Sequence, residues 1–139
     1  MLPAIANQAQ SAATGFTTAS DGVTKYVTGY AIDTSGGVHA VIWTVGSSST
    51  TVTDLGNISG GATEGVTGRS AMGVNSSNTV VGEDVVNGNP LAFIWTSSGG
   101  MVKLNSLLQS APGVNLTEAT GINDSGEIIA DGTVNSLWF

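Results

Sequence analysis

The sequence predicts an all-β protein of three repeated four-stranded antiparallel meanders arranged like propeller blades, with a β-prism-like pseudo-threefold domain as the alternative. Three observations lead there. His39-Ala40-Val41-Ile42-Trp43-Thr44 and Leu91-Ala92-Phe93-Ile94-Trp95-Thr96 are nearly the same phrase, and Ser136-Leu137-Trp138-Phe139 echoes it, so all three tryptophans share one motif. The spacing is 52 residues from Trp43 to Trp95 and 43 from Trp95 to Trp138, the range of propeller blades rather than of helical hairpins. The third observation is compositional. Twenty glycines accompany abundant Ser, Thr and Asn, and charged residues make up 9% of the chain against roughly 25% in ordinary soluble domains. An apolar fraction of 40% is too high for disorder, so the reading is a turn-rich β domain with an uncharged polar surface.

The units fall at approximately residues 11–60, 70–108 and 118–139, within a single repeat domain spanning 1–139. In the first, strands are expected at 11–16, 26–32, 39–44 and 51–56. In the second they are expected at 70–75, 79–86, 91–96 and 101–105, each rich in Val, Ile or aromatics and bounded by Gly, Asn or Ser. The hairpin turns are Asn75–Asn78, Asn87-Gly88-Asn89-Pro90 and Ser97–Gly100, built from residues that accept tight-turn dihedrals. The third unit reads Ala119-Thr120-Gly121-Ile122, the turn Asn123-Asp124-Ser125-Gly126, then Glu127–Gly132 and SLWF. Helix has almost no place, although LNSLLQ at 104–109 has room for one turn. The third unit lacks a fourth strand, and Met1–Ile5 resembles it, so residues 1–5 are expected beside 136–139, for twelve strands in all. Pro3 suits the edge position.

Alternation in LAFIWT sends Ala92, Ile94 and Thr96 to one face and Leu91, Phe93 and Trp95 to the other. Both faces are apolar, which a strand between two stacked sheets requires. The expected core is Ile42, Trp43, Val81, Ile94, Trp95, Ile129 and Trp138.

The spaced elements Asp54-Leu55-Gly56, Gly60-Gly61, Ser70, Ala71, Asn75 and Val80-Val81-Gly82, with the turn at Asn123–Gly126, resemble the probable extracellular repeat named the HAF family. Its name-giving triplet stands here as His39-Ala40-Val41 and Leu91-Ala92-Phe93, and the third unit has Ile129-Ala130 in place of Val-Gly. The resemblance covers about residues 25–139. It implies a β-rich, propeller-like repeat of secreted or surface proteins, and it carries over no catalytic residue.

Charge excludes some functions. Lys25, Arg69 and Lys103 are the whole basic complement against ten acids, a formal net charge of −7, so neither a phosphate backbone nor an anionic membrane has a basic surface to meet. No apolar run reaches the roughly 20 residues of a membrane helix. The start, MLPAIANQAQ, lacks the basic and apolar regions of a signal peptide. With no cysteine, thiol chemistry is absent.

Chemistry has few candidates. His39 is the single histidine and reads as structural. Glu83-Asp84 and Glu127 with Asp131 are carboxylate pairs that would need a measured separation to act as acid and base. Asn123–Glu127 offers oxygen ligands for calcium, but the same letters make an Asx turn. Asn57, Asn75 and Asn115 stand in N-x-S/T frames. No catalytic, cofactor-binding or metal-binding residue is assigned, and no cofactor is expected. The reading is a non-enzymatic structural or assembly protein of an extracellular, cell-surface or particle-surface structure. The alternative is a carbohydrate- or protein-binding module, whose expected signature is a cluster of exposed aromatics from Phe16, Tyr26 and Tyr30; a glycoside-processing enzyme comes third. Three blades leave two apolar end faces, so self-association as a homodimer or higher assembly is expected, with glycans or a surface protein as other partners. Neither nucleic acid nor membrane insertion is expected.

Overall fold

The computed structural model describes residues 2–58 and 70–135. Among these residues, ten strands form three antiparallel sheets. The first sheet is a meander of β1 (Gln8–Thr18), β2 (Lys25–Asp33), β3 (Val38–Val45) and β4 (Thr50–Asp54). The second repeats that order with β5 (Ser70–Val74), β6 (Val80–Val86), β7 (Asn89–Thr96) and β8 (Gly100–Lys103). In the third, β9 (Val114–Ile122) pairs with β10 (Ile128–Val134). A 3-10 turn over Leu104–Leu107 follows β8, in the one place where the sequence leaves room for it. Among the described residues, no sheet curls into a barrel or closes a ring.

The turns follow from their residues. Asn87 and Gly88 both have positive φ, 50° and 76°, which is the requirement of a type I′ hairpin whose twist matches its strands. At the turn between β5 and β6, Asn75 Oδ1 accepts the amides of Ser77 (3.2 Å) and Thr79 (3.0 Å), and Asn78 takes the left-handed conformation. The third unit repeats this device: Asn123 Oδ1 accepts the Glu127 amide at 2.9 Å.

The sheets stack face to face in chain order, and the alternation of β7 places its side chains as the sequence predicts. Phe93 and Trp95 pack toward the first sheet, in a core with Ala40, Ile42, Leu55, Ala71, Val74 and Val80. Ala92 turns the other way, with Val81, Leu104 and Ala119, and Ile94 packs half-buried against that cluster. Complete burial of Phe93 stabilises by roughly 1.5–3 kcal/mol. Trp43 occupies the corresponding position one sheet earlier, 1% exposed, in a third cluster with Ala31 and Val41.

That cluster lies on the front of the first sheet, the face turned away from the second. Its cover comes from the start of the chain: Ile5 packs against it, and Trp43 Nε1 donates to the Pro3 carbonyl at 2.7 Å. Residues 2–5 therefore lie on the first sheet as irregular chain, without strand pairing. Their expected partners at 136–139 are outside the described residues, as is Trp138. One core expectation is overturned: Ile129 is 71% exposed. Its neighbour Ile128 faces inward to the second sheet, and alternation then turns Ile129 out to a face that no described residue covers.

Candidate functional site

Of the residues singled out for chemistry, His39, Asp84, Asn123 and Asp124 are occupied in structural bonds. His39 stands between two carboxylates, with Nδ1 2.6 Å from Asp54 Oδ2 and Nε2 3.2 Å from Asp33 Oδ2. It ties the start of β3 to the ends of β2 and β4, and both ring nitrogens are taken. Asp33 is held below the usual carboxylate range, first by the His39 hydrogen bond and then by the Gly37 amide. A metal needs ligand atoms converging on one point, whereas here the ring separates the two acids. Among the described residues no group of three or more His, Asp or Glu is arranged to hold a metal ion.

Glu83 and Asp84 are adjacent in β6, so they point to opposite faces and cannot flank one bond. Asp84 is fully buried and accepts the Ile58 amide at 2.8 Å, pinning the chain after β4 to the second sheet. Glu83 is pushed up by burial, then by the nearby charges of Glu118 and Asp84. Glu127 and Asp131 are four residues apart on extended chain, about 13 Å at the strand rise, beyond the carboxylate separations of glycosidases. The Asn123–Glu127 turn spends oxygens on its own hydrogen bonds: Asn123 Oδ1 accepts the Glu127 backbone amide, Asp124 Oδ1 accepts the Ser76 amide at 2.8 Å, and Glu127 Oε2 accepts from Asn123 Nδ2. That Ser76 amide, followed by the Ser76 side chain, lowers Asp124 below its ordinary value. Asn75 is buried and bonded, an anchor rather than a modification site. Among the described residues no helix is long and apolar enough to cross a membrane.

The exposed aromatic cluster does not form. Phe16 pairs with Val27 across β1 and β2, on the front of the first sheet. Tyr26 packs on the opposite face, in the core between the first two sheets. Tyr30 shares the parity of Tyr26 and is half-buried.

What remains is a surface defined by repetition. The first strand of every unit carries a bulge at the same place, with Thr14, Met72 and Thr120 as the extra residues, each followed by a glycine: Gly15, Gly73 and Gly121. These glycines are where the next unit's first strand crosses. A Cβ on Gly15 would stand 2.8 Å from the Met72 carbonyl oxygen, and one on Gly73 3.0 Å from the Gly121 Cα. At Gly121 it would meet only its own hairpin, Ile129 Cδ1 at 3.8 Å. The residue paired with each glycine repeats the pattern. Thr28 and Val81 are fully buried, and Ile129 is exposed. A shallow cavity of about 440 Å³ lies there, lined by Gly121–Asn123 and Glu127–Ile129. The letters for this row, ATGF, AMGV and ATGI, are visible in the sequence, but they read only as strand. Their role in stacking depends on which unit has a neighbour.

No protein-family model, curated protein or solved structure matches the chain.

Proposed function

We propose that this chain is a non-enzymatic binding module that recognises a protein surface through the outer face of its third sheet. The observation that carries the reading is the contrast between Val81, fully buried, and its counterpart Ile129, 71% exposed. Where the chain supplies a neighbour, a protein strand crosses Gly15 and Gly73; Gly121 and Ile129 present the same shape unoccupied. A protein strand fits that shape better than a sugar does, because among the described residues the face has no aromatic platform, and Phe16 and Tyr26 lie on opposite sides of the first sheet. The three units are taken as consecutive propeller-like blades. A secreted or surface location and kinship with the HAF repeat rest on the resemblance of the motifs alone. The absence of an enzymatic role rests on the engagement of His39, Asp84 and Asn123 in structural bonds.

The test is binding of an apolar-surface dye, anilinonaphthalene sulfonate, by the full chain, with near-ultraviolet circular dichroism confirming native packing. Dye fluorescence should rise with the wild type and fall with Ile129→Lys. A wild type that binds no dye at protein concentrations low enough to keep it monomeric has no open apolar face, and the reading fails. Glycan-array binding indifferent to Ile129→Lys would move the function to carbohydrate recognition elsewhere.

A further inference from the structure

We infer that the protein received on the third sheet is a second copy of this chain, docked head to tail through the front of its first sheet. The inference rests on the binding reading above and names its partner.

The chain makes the contact twice within itself, and its two halves are left over at the two ends of the stack. One half is inward-facing: Ala71 and Val74 of β5 are buried against the first sheet, and Ala119 and Ile122 of β9 pack against the second. Their counterparts in β1, Ala13 and Phe16, meet no further sheet among the described residues, and Phe16 is 75% exposed. The other half is outward-facing, the row Thr28, Val81 and Ile129, of which Ile129 is the open member. A copy that places Ala13 and Phe16 over Gly121 and Ile129 repeats the packing already made at the second joint, where Ala119 and Ile122 cluster with Val81 and the β9 backbone crosses Gly73.

The polar groups are arranged for the same step. Thr14, the bulged residue of the first unit, donates its hydroxyl to the Ala71 carbonyl of the next. Thr120 holds the same bulge position, exposed, where the equivalent acceptor is the Ala13 carbonyl of a second copy. Asn75 Nδ2 reaches forward to the Asn123 carbonyl at 3.1 Å. Asn123 Nδ2, with no further unit to reach among the described residues, instead donates to Glu127 Oε2 at 2.5 Å.

Charge selects head to tail over a symmetric back-to-back pair. The third hairpin exposes Asp124, Glu127 and Asp131, and two such faces together would set these carboxylates against their own copies. β1, QAQSAATGFTT, has no charged side chain, so it meets those acids without repulsion. Because residues 2–5 cover Trp43, the contact uses the β1 side of the front, and its modest area makes association reversible. A contact between unlike faces closes a ring when its rotation allows and otherwise runs on as a filament.

Analytical ultracentrifugation of the full chain over a wide concentration range tests this. The wild type should show a mass rising above 13.9 kDa with concentration. Phe16→Lys and Ile129→Lys alter exposed side chains on opposite ends, so each should fold and each should weaken association by about tenfold or more. Mixed together they should recover a one-to-one pair, because each variant keeps the face that the other has lost. A back-to-back dimer predicts otherwise: Phe16→Lys would associate like the wild type, and mixing would rescue nothing. Either of those results overturns the inference, as does a wild type that stays monomeric throughout. A monomer that still binds dye at Ile129 leaves the binding module standing and rejects only the second copy as its partner.

Discussion

The first hairpin of the second sheet and the hairpin of the third repeat one pattern in two situations. Val81 and Ile129 follow the same turn, Gly73 and Gly121 follow the same bulge, and Asn75 and Asn123 cap the same hairpin. The second sheet is covered on both faces and holds Val80, Val81, Ala92 and Phe93 at zero exposure. The third is covered on one by the described residues, and Ile129 on its outward face lies in solvent. The difference teaches that burial in a repeat stack belongs to position in the stack, not to residue type. An isoleucine that would be core in the second unit is surface in the third. Nearest-neighbour stacks behave in this way generally, each unit drawing much of its stability from the interfaces it makes.

Substitutions at matched positions should break or sharpen the comparison. The largest effect is expected at Phe93→Ala. Phe93 is fully buried in the core between the first two sheets, and truncation should cost about 3–5 kcal/mol by denaturant unfolding. A cost under about 1 kcal/mol would mean that the two sheets do not share one core.

Next come the paired glycines. In Gly73→Ala the added carbon meets the Gly121 backbone at 3.0 Å and Val81 Cγ2 at 3.1 Å. Backbone cannot swing aside as a side chain does, so overpacking should cost about 1–3 kcal/mol. Gly121→Ala meets nothing closer than 3.8 Å. It should be neutral, or stabilising by up to about 1 kcal/mol through the less flexible unfolded chain. Equal losses at both sites would show that Gly121 is covered in solution, so the measurement belongs at low protein concentration. The hydrophobic pair should follow the same order: Val81→Ala costing about 1–2 kcal/mol, and Ile129→Ala within about 0.5 kcal/mol of wild type.

How much of this was legible in the sequence depended on whether the cause was local. The strands of the first two units and the hairpin turns follow from alternation and turn chemistry, which act over a few residues. The two faces of LAFIWT were legible for the same reason. Burial of Ile129 was misread because the repeat says which way a side chain points but not whether anything waits there. The likeness of the N-terminal segment to Met101–Leu104 points to a strand. Its carbonyl at Pro3 instead takes the Trp43 indole, a partner 40 residues away that no local pattern reveals. His39 falls in the same class, since its acids stand 6 and 15 residues off and meet only through the register of β2, β3 and β4. The bulge-and-glycine row was present in the letters, but its meaning needs two units in contact.

The smallest expected effect concerns pH, and it sets two carboxylates at the joint between the second and third sheets against each other. Asp124 is held below the ordinary aspartate value because the Ser76 amide of the neighbouring turn donates to it. Its contribution to stability is present in full above the unfolded value, near 4, and is lost as pH falls through the lower folded value. Glu83 has the opposite sign. Burial, with Glu118 and Asp84 nearby, raises it, so its charged form costs stability above the folded value. That cost is relieved as acid protonates it in the folded state ahead of the unfolded chain. Asp124→Asn should therefore flatten the loss of stability at the acid end of a melting-temperature profile. Glu83→Gln should raise stability near neutrality and remove the gain seen on entering the mildly acid range. Both shifts should be small, because Asp124 is exposed to solvent and Glu83 is partly so. If Glu83→Gln instead destabilised at neutral pH, the Glu83 carboxylate would be receiving a favourable bond that outweighs its repulsion from Glu118, and the joint would be held by that acid rather than opposed by it.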